Sequence, residues 1–204
     1  MLAQVLDWVY PPKCGLCGRL GKSAVCPDCF GDFQRLDSCT PEEDLAVLAA
    51  LFHYEGRPSQ AIRRLKYSRV TSLVDPLARM MREGYDTLGL DEYDLIVPVP
   101  IHWRRRCARG FNQAELLASQ LPREKVRPSC LQRVRFTKPQ VGLNREQRIR
   151  NLSGAFRASA VAAGKSVLLI DDVATTGRTG QLCAETLLEA GATRVGMLTF
   201  AREL

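Results

Sequence analysis

The chain has 204 residues, 46% of them hydrophobic and 25% charged, enough to bury one α/β core with room for a small appendage. No apolar run approaches a membrane span, and the start MLAQVLDWVYPPK lacks the basic region and cleavage site of a secretory signal. A cytoplasmic protein is therefore expected, in which structural disulfides among the eight cysteines are disfavoured. The formal charge of +7 is uneven: residues 93–160 carry 14 Lys+Arg against 4 Asp+Glu. That segment suits a polyanion, either a nucleic acid or a small phosphorylated ligand, or else a solvated basic face.

In chain order, the first predicted element is CGLCGRLGKSAVCPDC. Cys14 and Cys17 are separated by two residues, and Cys26 and Cys29 repeat that spacing after a gap of eight. Gly15, Gly18 and Pro27 favour tight turns that aim paired thiolates at one point. Four such thiolates match tetrahedral Zn²⁺, whose binding can fold a segment too short for its own core. Two redox or disulfide pairs are the alternative, and the doubled motif without an export signal favours zinc. Cys39 reads as a spare thiol, and Cys107, Cys130 and Cys183 as plain small residues. Residues 40–44, TPEED, read as a polar linker, which divides the chain into a head at 1–40 and a domain at 45–204.

Residues 45–54 form a β-compatible run, followed by helical spacing in SQAIRRLKY and across residues 70–83, where Pro76 implies a break or late start. DLIVPVP is a short strand stopped by prolines. Helical spacing covers 110–121, no sustained period marks 123–160, and a central strand is expected at 165–170. A helix over 179–190, closed by Gly191, and a strand over 194–201 complete the chain. Alternating strands and helices predict an α/β fold with a mostly parallel sheet flanked by helices.

The most informative stretch is VLLIDDVATTGRTG, residues 167–180. Ligands of open parallel sheets bind beyond the carboxyl ends of strands, where Asp171 and Asp172 fall. The following loop carries Thr175, Thr176, Gly177 and Thr179 and then opens a helix, whose free N–H groups favour phosphate. Carboxylates beside phosphate donors suit a ribose phosphate: Asp171 and Asp172 accept from the sugar hydroxyls while the loop holds the 5′-phosphate. Neither a Walker loop nor a GxGxxG motif is present. Ordinary helix-capping aspartates are the bland alternative, disfavoured because adjacent carboxylates ending a buried strand repel and lose hydration.

VLLIDDVATTGRT resembles the 13-residue signature for 5-phosphoribosyl 1-diphosphate (PRPP) of type I phosphoribosyltransferases. With the cysteine head, HYEGRPSQAIRRLKYSR, DLIVPVPIHWRRRCARGFNQAELLA and RVRFTKPQVGLNREQRIRNLSGAF, the chain resembles the ComF/GntX family, phosphoribosyltransferase-like proteins linked to bacterial DNA uptake. It departs from members with two cysteine-rich ribbons, having one complete four-cysteine set.

The resemblance implies a type I phosphoribosyltransferase-like domain with a small amino-terminal zinc ribbon. It also implies that Asp171 and Asp172 contact the ribose hydroxyls with Mg²⁺ nearby, and that Ala174, Thr175, Thr176, Gly177 and Thr179 surround the 5′-phosphate. Ile101, His102, Trp103 and Arg104 take the place of the pyrophosphate loop. Residues 133–150 correspond to a closing hood, in which Arg145 and Arg148 are the expected mobile cations.

The acceptor of any transfer is not legible, and two functions compete. One is phosphoribosyl transfer to a nitrogen acceptor. The other is a non-catalytic sensor of PRPP or a nucleotide that also holds single-stranded DNA. For the second, Arg105 and Arg106 beside Trp103 offer cations and a stacking surface, and the ribbon offers a dock for DNA or a helicase-like ATPase.

Overall fold

The computed structural model describes residues 11–42, 44–135 and 154–203. The apolar runs become strands β1 (Arg35–Glu42), β2 (Leu45–His53), β3 (Leu95–Pro98), β4 (Leu131–Arg133), β5 (Phe156–Ala158), β6 (Ser166–Ala174) and β7 (Arg194–Arg202). The helices are α1 (Pro27–Gly31), α2 (Gly56–Arg63), α3 (Val74–Thr87), α4 (Trp103–Arg109), α5 (Gln113–Leu117) and α6 (Arg178–Glu189). Five strands form one sheet in the order β1-β2-β7-β6-β3, with β4 and β5 a separate antiparallel pair. All neighbours in the large sheet are parallel except β1, which runs antiparallel to β2.

Side-chain alternation along the strands builds two apolar layers. Leu168, Ile170, Leu198 and Phe200 pack with Ile62, Leu77 and Met81 of α2 and α3. Val167, Leu169, Val195 and Met197 pack with Leu182, Cys183 and Leu187 of α6. Fully buried strands covered by helices on both faces make the α/β, mostly parallel architecture expected from the alternating pattern.

Several boundaries differ from the sequence expectations. Residues 40–42 are not linker but the end of β1, because Cys39 and Thr40 pair with Ala49 and Leu48 of the neighbouring strand. The expected helix at 70–83 starts at Val74, after a 3₁₀ turn, so Pro76 sits in the first turn, where a missing N–H is harmless. The expected helix at 110–121 is split: Gly110 ends α4 with φ at 88°, and the Asn112 side chain restarts the chain by capping α5. The central strand runs four residues beyond Ile170, to Ala174.

Candidate functional site

At the head, the Sγ atoms of Cys14, Cys17, Cys26 and Cys29 lie within 4.8 Å of one another. The sulfurs of Cys17 and Cys26 are 3.7 Å apart, and a tetrahedron with Zn–S near 2.3 Å has edges of about 3.8 Å. Backbone N–H groups of Leu16 and Cys26 donate to the Cys14 sulfur, each at 3.4 Å. Burial disfavours the Cys14 thiolate, but the N–H groups of Cys17, Cys26 and Leu16 together outweigh it and bring the pKa to about 6. Burial and the neighbouring thiols push Cys29 up to about 12. The cluster fits a zinc ribbon, and a cation is what would let all four sulfurs ionise together. The head is not isolated: Leu16 and Phe33 join the core of the sheet, where Phe33 packs edge-on to Phe52 at 5.3 Å. Cys39 and Cys107 are exposed, and Cys130 and Cys183 are buried.

The second site arises from unequal strand lengths. β3 ends with Pro98 opposite Ile170, while β6 continues, still paired to β7, as far as Ala174. Asp171 and Asp172 therefore project past their neighbour into a cleft of about 310 Å³. The Asp172 N–H donates to Asp171 Oδ1 at 2.8 Å. Lys66 Nζ lies 2.7 Å from Asp172 Oδ1, with side-chain exposures of only 19% and 9%. Burial alone would lower the Lys66 pKa, but Asp172 and then Asp171 hold it above its ordinary value. Burial first, and Asp172 second, push Asp171 up to about 7 against the pull of Lys66.

Arg105 and Arg109, one helical turn apart on α4, line the same cleft, as do Arg133 from β4, Thr175 from the loop and Thr179 from the first turn of α6. Gly177, with φ at 67°, forms the turn that starts α6. Hydroxyls, carboxylates and cations thus share one depression. Two carboxylates supply hard oxygen ligands of the kind Mg²⁺ takes.

Of the residues singled out in the sequence, the cleft brings together Asp171, Asp172, Thr175, Thr179, Ile101 and Arg105. Ala174, Thr176 and Gly177 belong to the same strand end and turn without lining the cleft. His102 caps α4 by accepting the Arg104 N–H at Nδ1, 3.2 Å away. Trp103 is 61% exposed and carries the Arg104 guanidinium 5.4 Å above its ring. Arg106 forms a two-pronged pair with Glu115, at 2.9 and 3.1 Å. Arg145 and Arg148 lie outside the described residues.

Sequence reasoning missed Lys66, Tyr67, Arg109, Asn112 and Gln113, all of which line the cleft. One signal existed for Lys66: it falls four residues after buried Ile62, on the apolar stripe, where a charge needs a partner.

The sheet and its acidic strand end followed by a hydroxyl loop define a type I phosphoribosyltransferase-like protein, and a family model, "Phosphoribosyl transferase domain", matches residues 107–204. The chain is 32% identical over 208 residues to DNA utilization protein YhgH of Escherichia coli (strain K12), covering 94% of this chain and 90% of that one. It is 31% identical to Competence protein F of Haemophilus influenzae, covering 94% and 85%. Against Competence protein ComFC of Bacillus subtilis (strain 168), identity is 30%, with 93% and 77% covered. The chain belongs to the ComF family. Among the described residues, no helix is long and apolar enough to cross a membrane.

Proposed function

We propose that the protein binds PRPP with Mg²⁺ in the cleft at the end of β6 and acts in the uptake and use of DNA, as the names of its relatives suggest. The observation that carries this reading is the convergence of Asp171 and Asp172 with Thr175, Thr179 and the cleft cations. In the bound state the carboxylates accept from ribose hydroxyls and the hydroxyl loop receives the 5′-phosphate. Arg105 and Arg109 face the diphosphate. Mg²⁺, held by the carboxylates and ligand oxygens, would add charge stabilisation to a departing diphosphate.

Where a nitrogen acceptor is present, the C1–O bond to diphosphate breaks as a C1–N bond forms. Diphosphate leaves with the electron pair, and the nitrogen gives up its proton to water. Calorimetry with PRPP and Mg²⁺ tests the site. Asp172→Asn is expected to weaken binding by about 1–3 kcal/mol, the range for a lost charged acceptor. Equal affinity in both proteins would refute the placement.

A second reading, single-strand binding without turnover, is favoured by a larger groove between α1 and α2. This groove, about 1070 Å³, is lined by Arg57, Arg63, Arg64 and Tyr67, and Tyr67 also borders the cleft. Salt-sensitive binding of single-stranded DNA with no release of diphosphate supports this reading, and acceptor-dependent release of diphosphate supports transfer.

A further inference from the structure

Lys66 and its neighbour Tyr67, from the segment that follows α2, line the cleft. Lys66 sits in a π-helical turn, Arg64–Ser68, that continues α2 and ends at Arg69 in the left-handed region, with φ at 50°. Wide turns of this kind are rare and recur at functional sites. Besides Leu65 in the core and the Arg64 bond to the Gly15 carbonyl, three contacts tie this stretch to β6 and α4. Lys66 pairs with Asp172, the Arg109 guanidinium sits 5.4 Å from the Tyr67 ring centroid, and the Arg69 guanidinium donates to the Ala108 carbonyl. The turn therefore lays Lys66 one residue from the cationic face of α4 while its ammonium rests on a carboxylate.

A buried ammonium persists only beside an anion. Once ribose hydroxyls donate to Asp172, part of that carboxylate's capacity is taken, and an adjoining diphosphate offers Lys66 stronger acceptors. Ribose 5-phosphate would engage the same carboxylates but bring no anion at C1. We infer that Lys66 is a diphosphate-binding residue, shifting from Asp172 to the C1 diphosphate as the ribose engages that carboxylate, and so sets a preference for PRPP over ribose 5-phosphate. This assignment rests on the phosphoribosyl site proposed above.

The test is calorimetry with Mg²⁺, titrating PRPP and ribose 5-phosphate separately into wild type, Lys66→Met, Asp172→Asn and the double variant. Lys66→Met is expected to lower PRPP affinity on the order of tenfold or more, with ribose 5-phosphate affinity nearly unchanged. The same selective loss is expected when Lys66→Met is added to Asp172→Asn. That background removes the carboxylate on which the Lys66 ammonium rests, so it keeps the comparison should the single variant fail to fold. Lys66→Gln, which retains a donor for Asp172 but no charge, is expected to lose the preference too.

If the double variant binds PRPP like Asp172→Asn alone, Lys66 acts only by holding the carboxylate, and the assignment falls. Equal losses for both ligands overturn it as well. Wild type binding neither ligand removes the phosphoribosyl site itself, an outcome distinct from both.

Discussion

At the head, four sulfurs converge within 4.8 Å among residues 14–29, while the segment's own cations, Arg19 and Lys22, are exposed, and Arg19 pairs with Asp28 instead. At the end of β6, two carboxylates meet Lys66 and arginines from α4 and β4, all supplied by the same chain. The head therefore suits a cation taken from outside, because the neighbouring arginines, Arg19 and Arg57, sit outside the sulfur cluster on aspartates. The cleft carries more cations than carboxylates, with Lys66, Arg105, Arg109 and Arg133 around Asp171 and Asp172, and on the proposed reading it exchanges partners as a ligand arrives. On the readings proposed, crowded anions would serve a structural centre in the first case and a responsive one in the second.

The sharpest way to break this contrast is to remove a thiolate. Structural zinc contributes about 10–16 kcal/mol in isolated fingers. Purified wild type is expected to hold about one zinc per chain, and Cys26→Ser is expected to lose it and melt the head. Because Phe33 reaches the core of the sheet, thermal unfolding should also shift downward by several degrees. Elemental analysis alongside calorimetric melting checks both, and a metal-free wild type would dissolve the head's half of the contrast.

A smaller effect is expected at Gly196 in β7, where an added Cβ would collide with the Tyr93 hydroxyl and stand 2.9 Å from Val47. Gly196→Ala is expected to destabilise by about 1–3 kcal/mol, as overpacked cores do, with zinc content unchanged. Urea unfolding with metal analysis would show whether sheet and head respond separately.

Next in size is the pH response of the cleft. Folding moves Asp171 from an ordinary 3.8 up to about 7, so between those values the folded state keeps a proton that the unfolded chain has released. Its contribution to stability is full below the ordinary value and lost as pH rises through that window. Asp171→Asn is expected to flatten this fall, measured by urea unfolding at stepped pH. Binding of PRPP with Mg²⁺ near neutrality should release protons, read as a buffer-dependent heat. A pH profile identical to wild type would place the titrating proton elsewhere.

The smallest expected change is at Arg106, whose pair with Glu115 is largely exposed. Arg106→Ala should alter stability by no more than about 1 kcal/mol. If that arginine contacts a single strand, the log–log salt slope of DNA binding should drop by about 0.7.

The head was legible because its ligands are close in sequence, and spacing alone encodes their convergence. Asp171 and Asp172 were legible for a related reason, since the strand that places them runs directly into them. Lys66 was not, because its partner is more than a hundred residues away and the pairing exists only once α2 packs against the sheet. Arg105 and Arg106 illustrate the same limit. They are neighbours in the chain, but helical geometry turns the first toward the cleft and the second toward Glu115. The linker expected at residues 40–44 failed because Pro and charged residues are tolerated on an edge strand, which is what β1 is.

If the head holds zinc, that edge strand would link metal supply to the fate of newly made protein. β1 follows directly on the cysteine head and covers β2, whose sequence LAVLAALFH is apolar and carries no acidic or basic gatekeeper apart from its terminal histidine. A chain made without zinc, and with β1 loosened as a result, would present an uncovered, sticky strand to its neighbours. Metal loading in this protein would then work as a maturation checkpoint, with starved chains diverted to aggregation or proteolysis before they could occupy the cleft.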